Sequence, residues 1–356
     1  MQQRVPCTYS KGEEGKMGAW IFWFEELDSK DNELVGKKCA NLGAMRRMGL
    51  PVPEGFAISI GLYREFLKGT GLADEIGKLV GPFGDLSTVK VSLLDELSAK
   101  IRRAIEQREM PRWMREIIIA HYNRLCERSG TESVSVRSAG VESRPGMFET
   151  YLNVKGEDEV VEKVKKVWGS AFTSRALAYR MKMGLPLLGD ELGVAVVRMV
   201  RALCSGIGFT VDPITGDTSK VIVESNWGLG EGVVSGAESV DRFVLQKESL
   251  SILERSIGKK RKAVVPKQSG VAWEEVPEER QGLPSLTDEQ LVEVARLARK
   301  LEASFGCPQD MEWAIDGQTP FPEGLFLLQT RNAKVCMRVT KSTTERIADM
   351  ITRRFA

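Results

Sequence analysis

Hydrophobic positions recur along the chain with two different periods, which predicts an α+β protein. Strand patterns of period two fall on "ESVSVRSAG", where Val134 and Val136 share one face, and then on "LGVAVVRMV", "IGFTVD", "KVIVESN", "DRFVLQ" and "LSILERSI". Helical spacing covers the charged region that ends near Gly130 and residues 157–183. Residues 258–283 form a basic, polar stretch, so we expect an exposed loop there.

A final helix is predicted from its end signals. Thr287 and Gln290 have the spacing of a capping box, and Gly306 is a stop signal for the same helix. The positions expected to face inward recur every three or four residues, at Leu291, Val294, Ala298, Leu301 and Phe305.

The chain has 356 residues, which is long enough for two lobes with separate cores. We expect an N-terminal extension at residues 1–19, a first lobe at 20–190, a second, strand-rich lobe at 191–335 and a tail at 336–356. The tail has the pattern of a basic, mildly amphipathic helix, which either docks a partner or packs as an ordinary terminal helix.

Composition excludes several classes of protein. With 28% charged residues and a net charge of +2, the chain is not a polyelectrolyte, so we expect no nucleic-acid partner. Six cysteines without a CxxC pair indicate reduced thiols, and no stretch approaches the ~20 apolar residues of a membrane span. These features predict a cytoplasmic protein that makes no membrane contact.

Two of the predicted strands carry polar pairs. "CPQDMEWAID" places Asp310 and Glu312 on one strand face, and "LFLLQTRN" places Gln329 and Arg331 likewise, because side chains alternate along a strand. If the strands pair as a hairpin, a carboxylate and a carboxamide oxygen meet as hard ligands for Mg²⁺, with an arginine beside them for phosphate. The alternative is a surface salt bridge between Glu312 and Arg331, but the apolar run at 325–328 indicates burial and favours a ligand site.

Two other segments place cations at the ends of structural elements. In "ELVGKKCANLG", Gly36 precedes Lys37 and Lys38 at the start of a short helix, an arrangement that suits an anion, although it lacks the GxxxxGK[ST] spacing of a Walker loop. Arg137 follows a short apolar strand, where its planar fork suits a phosphate. The alternatives are a solvated lysine pair and an arginine paired with a carboxylate.

Two glycine-containing loops are the remaining candidates. The Pro-Gly turn in "SRPGMFET" frees backbone N–H groups, so Gly146, Met147 and Thr150 are candidate ligand contacts. In "ESNWGLGEGVVSG", Glu224 and Glu231 offer acceptors for ribose hydroxyls or an adenine amino group. The second loop is not a GxGxxG fingerprint that opens a βαβ unit, so we expect no dinucleotide fold. Ordinary surface turns are the alternative for both loops.

Together these segments resemble the N-terminal ATP-binding part of the pyruvate phosphate dikinase and phosphoenolpyruvate synthase family, which has a two-lobed fold of the ATP-grasp type. The matching stretches follow the family's order over residues 20–335: "LVGKKCANLGAM", "GLPVPEGFAI", "SVSVRSAG", "PGMFETYLNV", "SGIGFTVDPITG", "WGLGEGVVSG", "DMEWAID" and "LLQTRNAK". The chain departs from the family at Gly36, Lys37 and Lys38, where Gly-Gly-Lys is usual.

The resemblance implies a role for each candidate in binding ATP and Mg²⁺. Three cations would be catalytic and would hold the phosphates, namely Lys38, Arg137 and Arg331. Glu231 would hold the ribose. The family's remaining metal and phosphate residues fall on the predicted hairpin, with Asp310 on the phosphate side and Glu312 and Gln329 as the Mg²⁺ ligands.

In this family the phosphoryl group passes to a histidine in a separate swivelling domain that has a Thr-Ser-His pattern. The one histidine here, His121, lies on an apolar helix without that pattern and is expected to be a packing residue. The resemblance therefore implies the ATP-binding subunit of a split dikinase, which needs a partner subunit carrying the phosphohistidine domain and which converts ATP to AMP and phosphate.

The phosphoryl acceptor is inferred only by analogy. Phenylphosphate synthase, which phosphorylates phenol, matches best by size and architecture. Three alternatives stay open: a piece of a split or truncated phosphoenolpyruvate synthase or pyruvate phosphate dikinase, a non-catalytic nucleotide sensor, and an ATP-grasp ligase that releases ADP.

Overall fold

A computed structural model of the chain describes residues 19–81, 91–142, 144, 146–186, 190–234, 236 and 239–335. The predicted tail at 336–356 lies outside the described residues, as does the predicted extension apart from residue 19. The described chain contains a five-stranded sheet, a six-stranded sheet and a two-stranded hairpin, together with helices. The predicted α+β class is therefore confirmed.

The first sheet has the strand order β1-β2-β5-β3-β4, with antiparallel neighbours throughout. Its strands are β1 (Ile21–Trp23), β2 (Gly55–Ile58), β3 (Val134–Gly140), β4 (Thr150–Val154) and β5 (Leu192–Arg198). β5 is apolar at nearly every position because both of its faces are buried. Val194 and Val196 face a core on the helical side, whereas Ala195 and Val197 face a second core.

Most of the helices pack around this first sheet. They are α1 (Asn32–Val35), α2 (Lys37–Arg47), α3 (Ile60–Gly69), α4 (Leu72–Val80), α5 (Val91–Gln107), α6 (Arg112–Ser129), α7 (Glu157–Gly169) and α8 (Ser174–Lys182). The helical region predicted at 157–183 is thus two helices, separated by a 3-10 turn at Ser170–Phe172. The second helix starts anew because the Thr173 hydroxyl accepts a hydrogen bond from the Ala176 backbone and caps it.

The second sheet has the strand order β13-β12-β6-β7-β8-β9, again with antiparallel neighbours. Its strands are β6 (Ala202–Phe209), β7 (Lys220–Trp227), β8 (Asp241–Gln246), β9 (Ile252–Ser256), β12 (Gln309–Asp316) and β13 (Leu325–Asn332), and a short helix, α9 (Glu231–Val234), follows β7.

One face of this sheet is covered by α11 (Asp288–Phe305), the helix predicted from its end signals. Thr287 and Gln290 form the capping box, and Gly306 ends the helix in a left-handed conformation with φ 69°. The predicted inward positions are buried, except that Phe305 is only partly buried. The opposite face of the sheet is left free to line a cavity.

The two sheets share a core. Phe22 and Leu42 from the first part of the chain belong to the same buried cluster as Trp313 and Leu327 from the second sheet. The chain passes from one sheet to the other between β5 and β6, so β5 pairs in the first sheet although the boundary predicted at 190/191 assigned it to the second lobe. A strand pattern identifies a strand but not its pairing partners, which depend on residues far away in sequence.

The expectation of a loop at 258–283 is wrong, although most of these residues are exposed as expected. This segment contains the hairpin of β10 (Lys262–Pro266) and β11 (Val271–Glu275), followed by α10 (Glu278–Gln281). Lys260 is completely buried and pairs with the equally buried Asp241, Nζ to Oδ1 at 2.5 Å. The dense charges correctly indicated solvation for most of the segment, but they concealed the two short strands of the hairpin and the burial of Lys260 beside Asp241.

Two further observations concern the cysteines and the helices of the described part. Cys39, Cys126, Cys204 and Cys307 are free thiols, and Cys39 and Cys204 are buried. Across the described residues, no helix combines the length and the apolarity that crossing a bilayer requires.

Candidate functional site

A glycine sets the position of the lysine segment. Gly36 precedes α2 with φ 82°, and a Cβ there would lie 2.0 Å from the carbonyl oxygen of Ala139 on β3. Only glycine allows α2 to start this close to β3. As a result Lys37 and Lys38, the first residues of α2, line the same cavity as Arg137 on β3.

The cavity environment weakens the basicity of Lys38. Burial, with help from the neighbouring Arg137 cation, lowers the pKa of Lys38 from 10.5 to about 7, although Glu312 acts in the opposite direction. Without a ligand, the site disfavours the protonated, charged form of Lys38. An anionic ligand such as a phosphate would stabilise that form.

The polar strand pairs converge as predicted. β12 and β13 form an antiparallel hairpin in which Asp310 lies opposite Arg331, and Glu312 lies opposite Gln329. Directly opposed residues place their side chains on the same face. Arg331 donates from Nε to Oδ2 of Asp310 at 2.6 Å, and Nη2 lies 2.6 Å from the same oxygen. The expected alternative, a salt bridge between Glu312 and Arg331, is not the pairing that forms.

A bulge in this hairpin creates a docking point for Arg137. The register shifts between Glu312 and the next residue of β12, which leaves Leu328 on β13 without an opposed partner. Arg137 reaches across from the first sheet and donates from Nη1 to the Leu328 carbonyl at 3.0 Å. Its Nη2 donates to Glu312 Oε2 at 2.8 Å and to Gln329 Oε1 at 3.2 Å. One guanidinium thus joins the two sheets at the centre of the site.

The two carboxylates of β12 differ electrostatically. Burial alone would raise the pKa of Glu312, but Arg137 and Lys38 outweigh it and hold that pKa below its usual value. Burial raises the pKa of Asp310, and Arg331 offsets this only in part. Glu312 is therefore the more firmly ionised of the two and the better ligand for a cation.

The cavity between the sheets has a volume of about 580 Å³, which suits a nucleotide-sized ligand. Nine of the predicted ligand-site residues line it, namely Lys38, Arg137, Gly146, Thr150, Glu231, Asp310, Glu312, Gln329 and Arg331. Residues separated by nearly 300 positions in sequence therefore meet around one space.

Met147 and Glu224 were also candidates, but neither lines this cavity. The Met147 backbone N–H closes a turn onto the Arg144 carbonyl at 3.2 Å. Glu224 shares the sheet face of Glu312, with Ile207 between them, and it faces Arg242 at 3.8 Å. Burial raises the pKa of Glu224, which Arg242 offsets in part.

Glu231 begins α9 and enters the cavity through a tight glycine turn. Gly228 has φ 73°, and a Cβ there would lie 2.4 Å from the Val264 carbonyl oxygen on β10. Glycine at this position lets the turn pass directly under the hairpin. Burial raises the pKa of Glu231, while Arg137 lowers it.

Several lining residues were not identified from the sequence. Arg144 lines the cavity and is held by Asp190 at 2.7 Å and Glu142 at 2.9 Å. Its position in the "SRPGMFET" loop, which was already a candidate ligand loop, could have identified Arg144 from the sequence. The apolar part of the wall includes Met199 and Leu229 and carried no signal, because a buried aliphatic residue resembles any core residue until the chain folds.

His121 packs against neighbours, as predicted. Its ring lies 5.7 Å from Trp23 and 5.6 Å from Phe56, centroid to centroid, and Nδ1 is 2.7 Å from the Ile117 carbonyl oxygen on α6. It does not line the cavity.

The oxygen donors suit a metal ion that is coordinated partly by the protein and partly by a bound ligand better than one coordinated by protein side chains alone. Nowhere in the described residues do three or more His, Cys, Asp or Glu side chains gather as a metal-binding group. Glu312 and Gln329, however, present two hard oxygen atoms side by side, both within reach of one Arg137 nitrogen. Mg²⁺ is commonly held by one or two protein ligands together with substrate phosphates and water, so this donor set fits it.

Comparison with known proteins agrees with this geometry. Residues 32–352 match the family described as pyruvate phosphate dikinase, AMP/ATP-binding domain. The chain is 38% identical over 363 residues to a probable phosphoenolpyruvate synthase of Staphylothermus marinus, covering 93% of this chain and 43% of the relative. It is 38% identical over 352 residues to the phosphoenolpyruvate synthase of Aeropyrum pernix, covering 89% and 43%. The chain thus spans less than half the length of these relatives.

Likeness to solved structures is slight. The L-amino acid ligase from Bacillus licheniformis aligns with 76% of this chain and 56% of its own at 12% identity and a TM-score of 0.27, which is too low to bear on function. The family match extends over most of the chain, and the two sheets enclose one cavity in the α+β, ATP-grasp type arrangement that the resemblance implies. The chain belongs to the pyruvate phosphate dikinase family, as its AMP/ATP-binding domain.

Proposed function

We propose that the cavity binds Mg-ATP and delivers a phosphoryl group to a histidine on another domain or subunit. The observation that carries the proposal is the contact of Arg137 with both Glu312 and Gln329, which brings a phosphate-binding cation and two metal ligands together across the two sheets. Lys38 and Arg331 add two cations to the same space. This is the arrangement that a chain of phosphates with its metal requires.

Each residue has a role in this proposal. Lys38, Arg137 and Arg331 hold the β and γ phosphates, with Asp310 orienting Arg331, and Glu231 accepts from a ribose hydroxyl. Glu312 and Gln329 would hold Mg²⁺, which when bound neutralises phosphate charge. For Arg137 to contact phosphate, its Nη2 must exchange part of its bonding to Glu312 and Gln329, which a metal on those oxygens would favour.

Transfer in this site depends on positioning and electrostatics rather than on covalent chemistry by the chain itself. A histidine nitrogen from outside the cavity attacks the β phosphorus, the P–O bond between the α and β phosphates breaks, and AMP leaves. Water then cleaves the terminal phosphate from the pyrophosphohistidine, which releases inorganic phosphate and leaves one phosphoryl group on the histidine. His121 does not line the cavity, which supports an external histidine. A separate partner subunit carrying a swivelling phosphohistidine domain would supply it.

The sequence resemblance and the compared proteins point to different final acceptors. Phenol is the acceptor expected from the resemblance to phenylphosphate synthase. The names of the similar archaeal proteins favour the chemistry of a phosphoenolpyruvate synthase instead, with pyruvate as acceptor. Both acceptors leave the nucleotide half-reaction unchanged.

The test begins with Mg-ATP binding to the chain alone, measured by calorimetry and compared with Lys38→Met. Product analysis then follows, for the chain alone and after addition of a histidine domain from a phosphoenolpyruvate synthase relative, with phenol or pyruvate. AMP that forms only with the histidine domain supports the proposal, and dependence on phenol or on pyruvate identifies the acceptor.

Two outcomes would contradict the proposal. ADP released by the chain alone would indicate a ligase or an ATPase. Tight ATP binding without turnover in any mixture would indicate a nucleotide sensor, in which the metal-side residues serve binding only.

A further inference from the structure

The β10–β11 hairpin contacts both β4 of the first sheet and the turn that precedes Glu231. Its sequence lies between elements of the second sheet, but its tip contacts β4 of the first sheet. Its first strand also lies beside the glycine turn that leads to Glu231, where Leu229 donates to the Val264 carbonyl at 2.9 Å. Any movement of the hairpin would therefore be transmitted to this wall of the cavity.

One buried side chain, that of Asn153, binds the tip. Two exposed contacts reach it as well, from Lys155 Nζ to the Gln268 carbonyl at 3.3 Å and from the Ser269 hydroxyl to Glu159. Asn153 on β4 is 2% exposed, and its Nδ2 donates to two carbonyl oxygens of the tip, those of Lys267 and Gly270, each at 2.7 Å. The orientation of the amide is fixed by Ser133, whose hydroxyl donates to Asn153 Oδ1 at 2.8 Å. Every polar atom of the carboxamide is thus directed by a specific partner.

The backbone at this position is also unusual. Asn153 has φ 54°, in the left-handed region where asparagine is one of the few side-chain-bearing residues found with any frequency. Its carbonyl oxygen accepts from the Gly270 N–H at 3.3 Å, so both main chain and side chain face the hairpin tip. A residue that could neither adopt the left-handed backbone conformation nor supply a side-chain amide would lose both the main-chain and the side-chain hydrogen bonds to the tip.

The hairpin supports the cavity wall from outside. A small apolar cluster joins Val264 and Val271 of the hairpin with Leu152, Met199 and Leu229. The last three residues line the cavity, whereas the two hairpin valines do not. The hairpin therefore acts on the ligand space through the residues that it supports.

We propose that Asn153 is a positioning residue for nucleotide binding, because it clamps the hairpin to the first sheet and so fixes the segment from Leu229 to Glu231 at the cavity. This inference rests on the proposed nucleotide function of the cavity. Without the clamp, the hairpin tip exposes two carbonyls to water, the apolar cluster loosens and the Glu231 segment samples positions in which it no longer meets a ribose.

Two variants separate the amide from the backbone conformation. Asn153→Asp keeps size and shape but replaces the donor by an acceptor that faces two carbonyl oxygens. Asn153→Gly keeps the left-handed conformation at no steric cost and removes the amide. Ser269→Ala is the matched control, because it removes only a long, exposed hydrogen bond of 3.4 Å between the same hairpin tip and Glu159.

The measurements are amide hydrogen exchange of residues 228–234 and 262–275 in the free protein, and the Kd for Mg-ATP. For both Asn153 variants we expect exchange in these two segments to accelerate and the Kd to rise by about tenfold, the effect of one to two lost hydrogen bonds. Exchange in β12 and β13 should stay as in the wild type, and Ser269→Ala should match the wild type throughout.

A purely structural role would give a different pattern. If exchange accelerates but the Kd for Mg-ATP is unchanged, Asn153 stabilises the hairpin without positioning the site, and the proposal is wrong. It is also wrong if Asn153→Gly matches the wild type, since the backbone conformation would then suffice. A wild-type chain that does not bind Mg-ATP would overturn the proposed function instead, and exchange at 228–234 would still decide whether the clamp holds that segment.

Discussion

Arg137 on β3 donates to Glu312 on β12 across the two sheets, with Nη2 2.8 Å from Oε2. The guanidinium is largely buried, and it also holds the carbonyl of Leu328, which the hairpin bulge leaves unpaired. Each sheet contributes half of the contact, so the candidate site is complete only when both sheets are in place.

Arg137→Lys is expected to reduce AMP formation by about a hundredfold or more, because an ammonium cannot satisfy a carbonyl, a carboxylate and a carboxamide with one planar fork. The measurement is the rate of AMP release from Mg-ATP in the presence of the histidine domain. Arg112→Lys, at an exposed position on α6, is the control and should behave as wild type. Normal turnover by Arg137→Lys would rule out a bidentate role.

Arg331→Ala is expected to abolish AMP formation while the fold stays intact. Arg331 is about one-third exposed and pairs with Asp310, so its loss removes a cation from the cavity without opening the core. Turnover and thermal unfolding should be measured together, with Arg331→Lys as the graded control. Turnover that survives in Arg331→Ala would remove this residue from the phosphate site.

Mg-ATP affinity is expected to fall as the pH rises above about 7. The pKa of Lys38 in the free protein is about 7, and bound phosphates raise it. Below that pH, Lys38 is protonated in both the free and the bound protein, so the affinity does not change with pH. Above it, Lys38 must take up a proton when Mg-ATP binds, and the Kd rises by up to about tenfold per pH unit.

Proton uptake provides a direct check on this pH dependence. Calorimetry at pH 8 in buffers of different ionisation enthalpy should show uptake by the wild type on binding Mg-ATP. Lys38→Met should bind more weakly and lose that uptake. Equal uptake by the variant would assign the proton to another group.

Asp241→Asn is expected to lower the free energy of unfolding by about 3–5 kcal/mol, because it leaves the buried Lys260 ammonium without its counter-charge. Both side chains are 0% exposed, and Asp241 also accepts from the Ser285 backbone and hydroxyl. Urea unfolding checks the value. Glu274→Gln, which removes an exposed pair with Lys267 on the hairpin, should change stability far less. Similar losses in both variants would contradict the assigned role of burial.

Local signals in the sequence were enough for much of this fold. The β12–β13 hairpin followed from alternation and from polar pairs at matching positions, and α11 followed from its capping box and terminal glycine. Both elements form through interactions between residues that are close in sequence, so a local sequence pattern is enough to predict them. The break at Thr173 within the predicted helix was missed because the helical period continues through it.

The hairpin at 262–275 was missed for a different reason. Its charged residues are exposed, as their type indicated, but the contacts that order the segment come from elsewhere in the chain. Lys260, just before the hairpin, pairs with an aspartate 19 residues earlier, and the tip is bound by Asn153, more than a hundred residues away. Contacts of such long range leave no local pattern. The role of Glu224 as a ligand contact stays a prediction, and only the structure shows that Glu224 lies opposite Arg242 in the sheet.

The sequence by itself determined which residue types the site contains, because charge, hydrogen-bonding capacity and strand period are properties of the residues and their order. The need for glycine at Gly36 and Gly228, by contrast, comes from the carbonyl oxygens of Ala139 and Val264, which approach these positions only in the folded chain. Only the tertiary structure decided which of these residues meet: a bulge beside Leu328, a hairpin clamped by Asn153 and two sheets that share one core bring Arg137 to Glu312. Distances between side chains depend on packing across the whole chain, and packing is a property of the folded molecule.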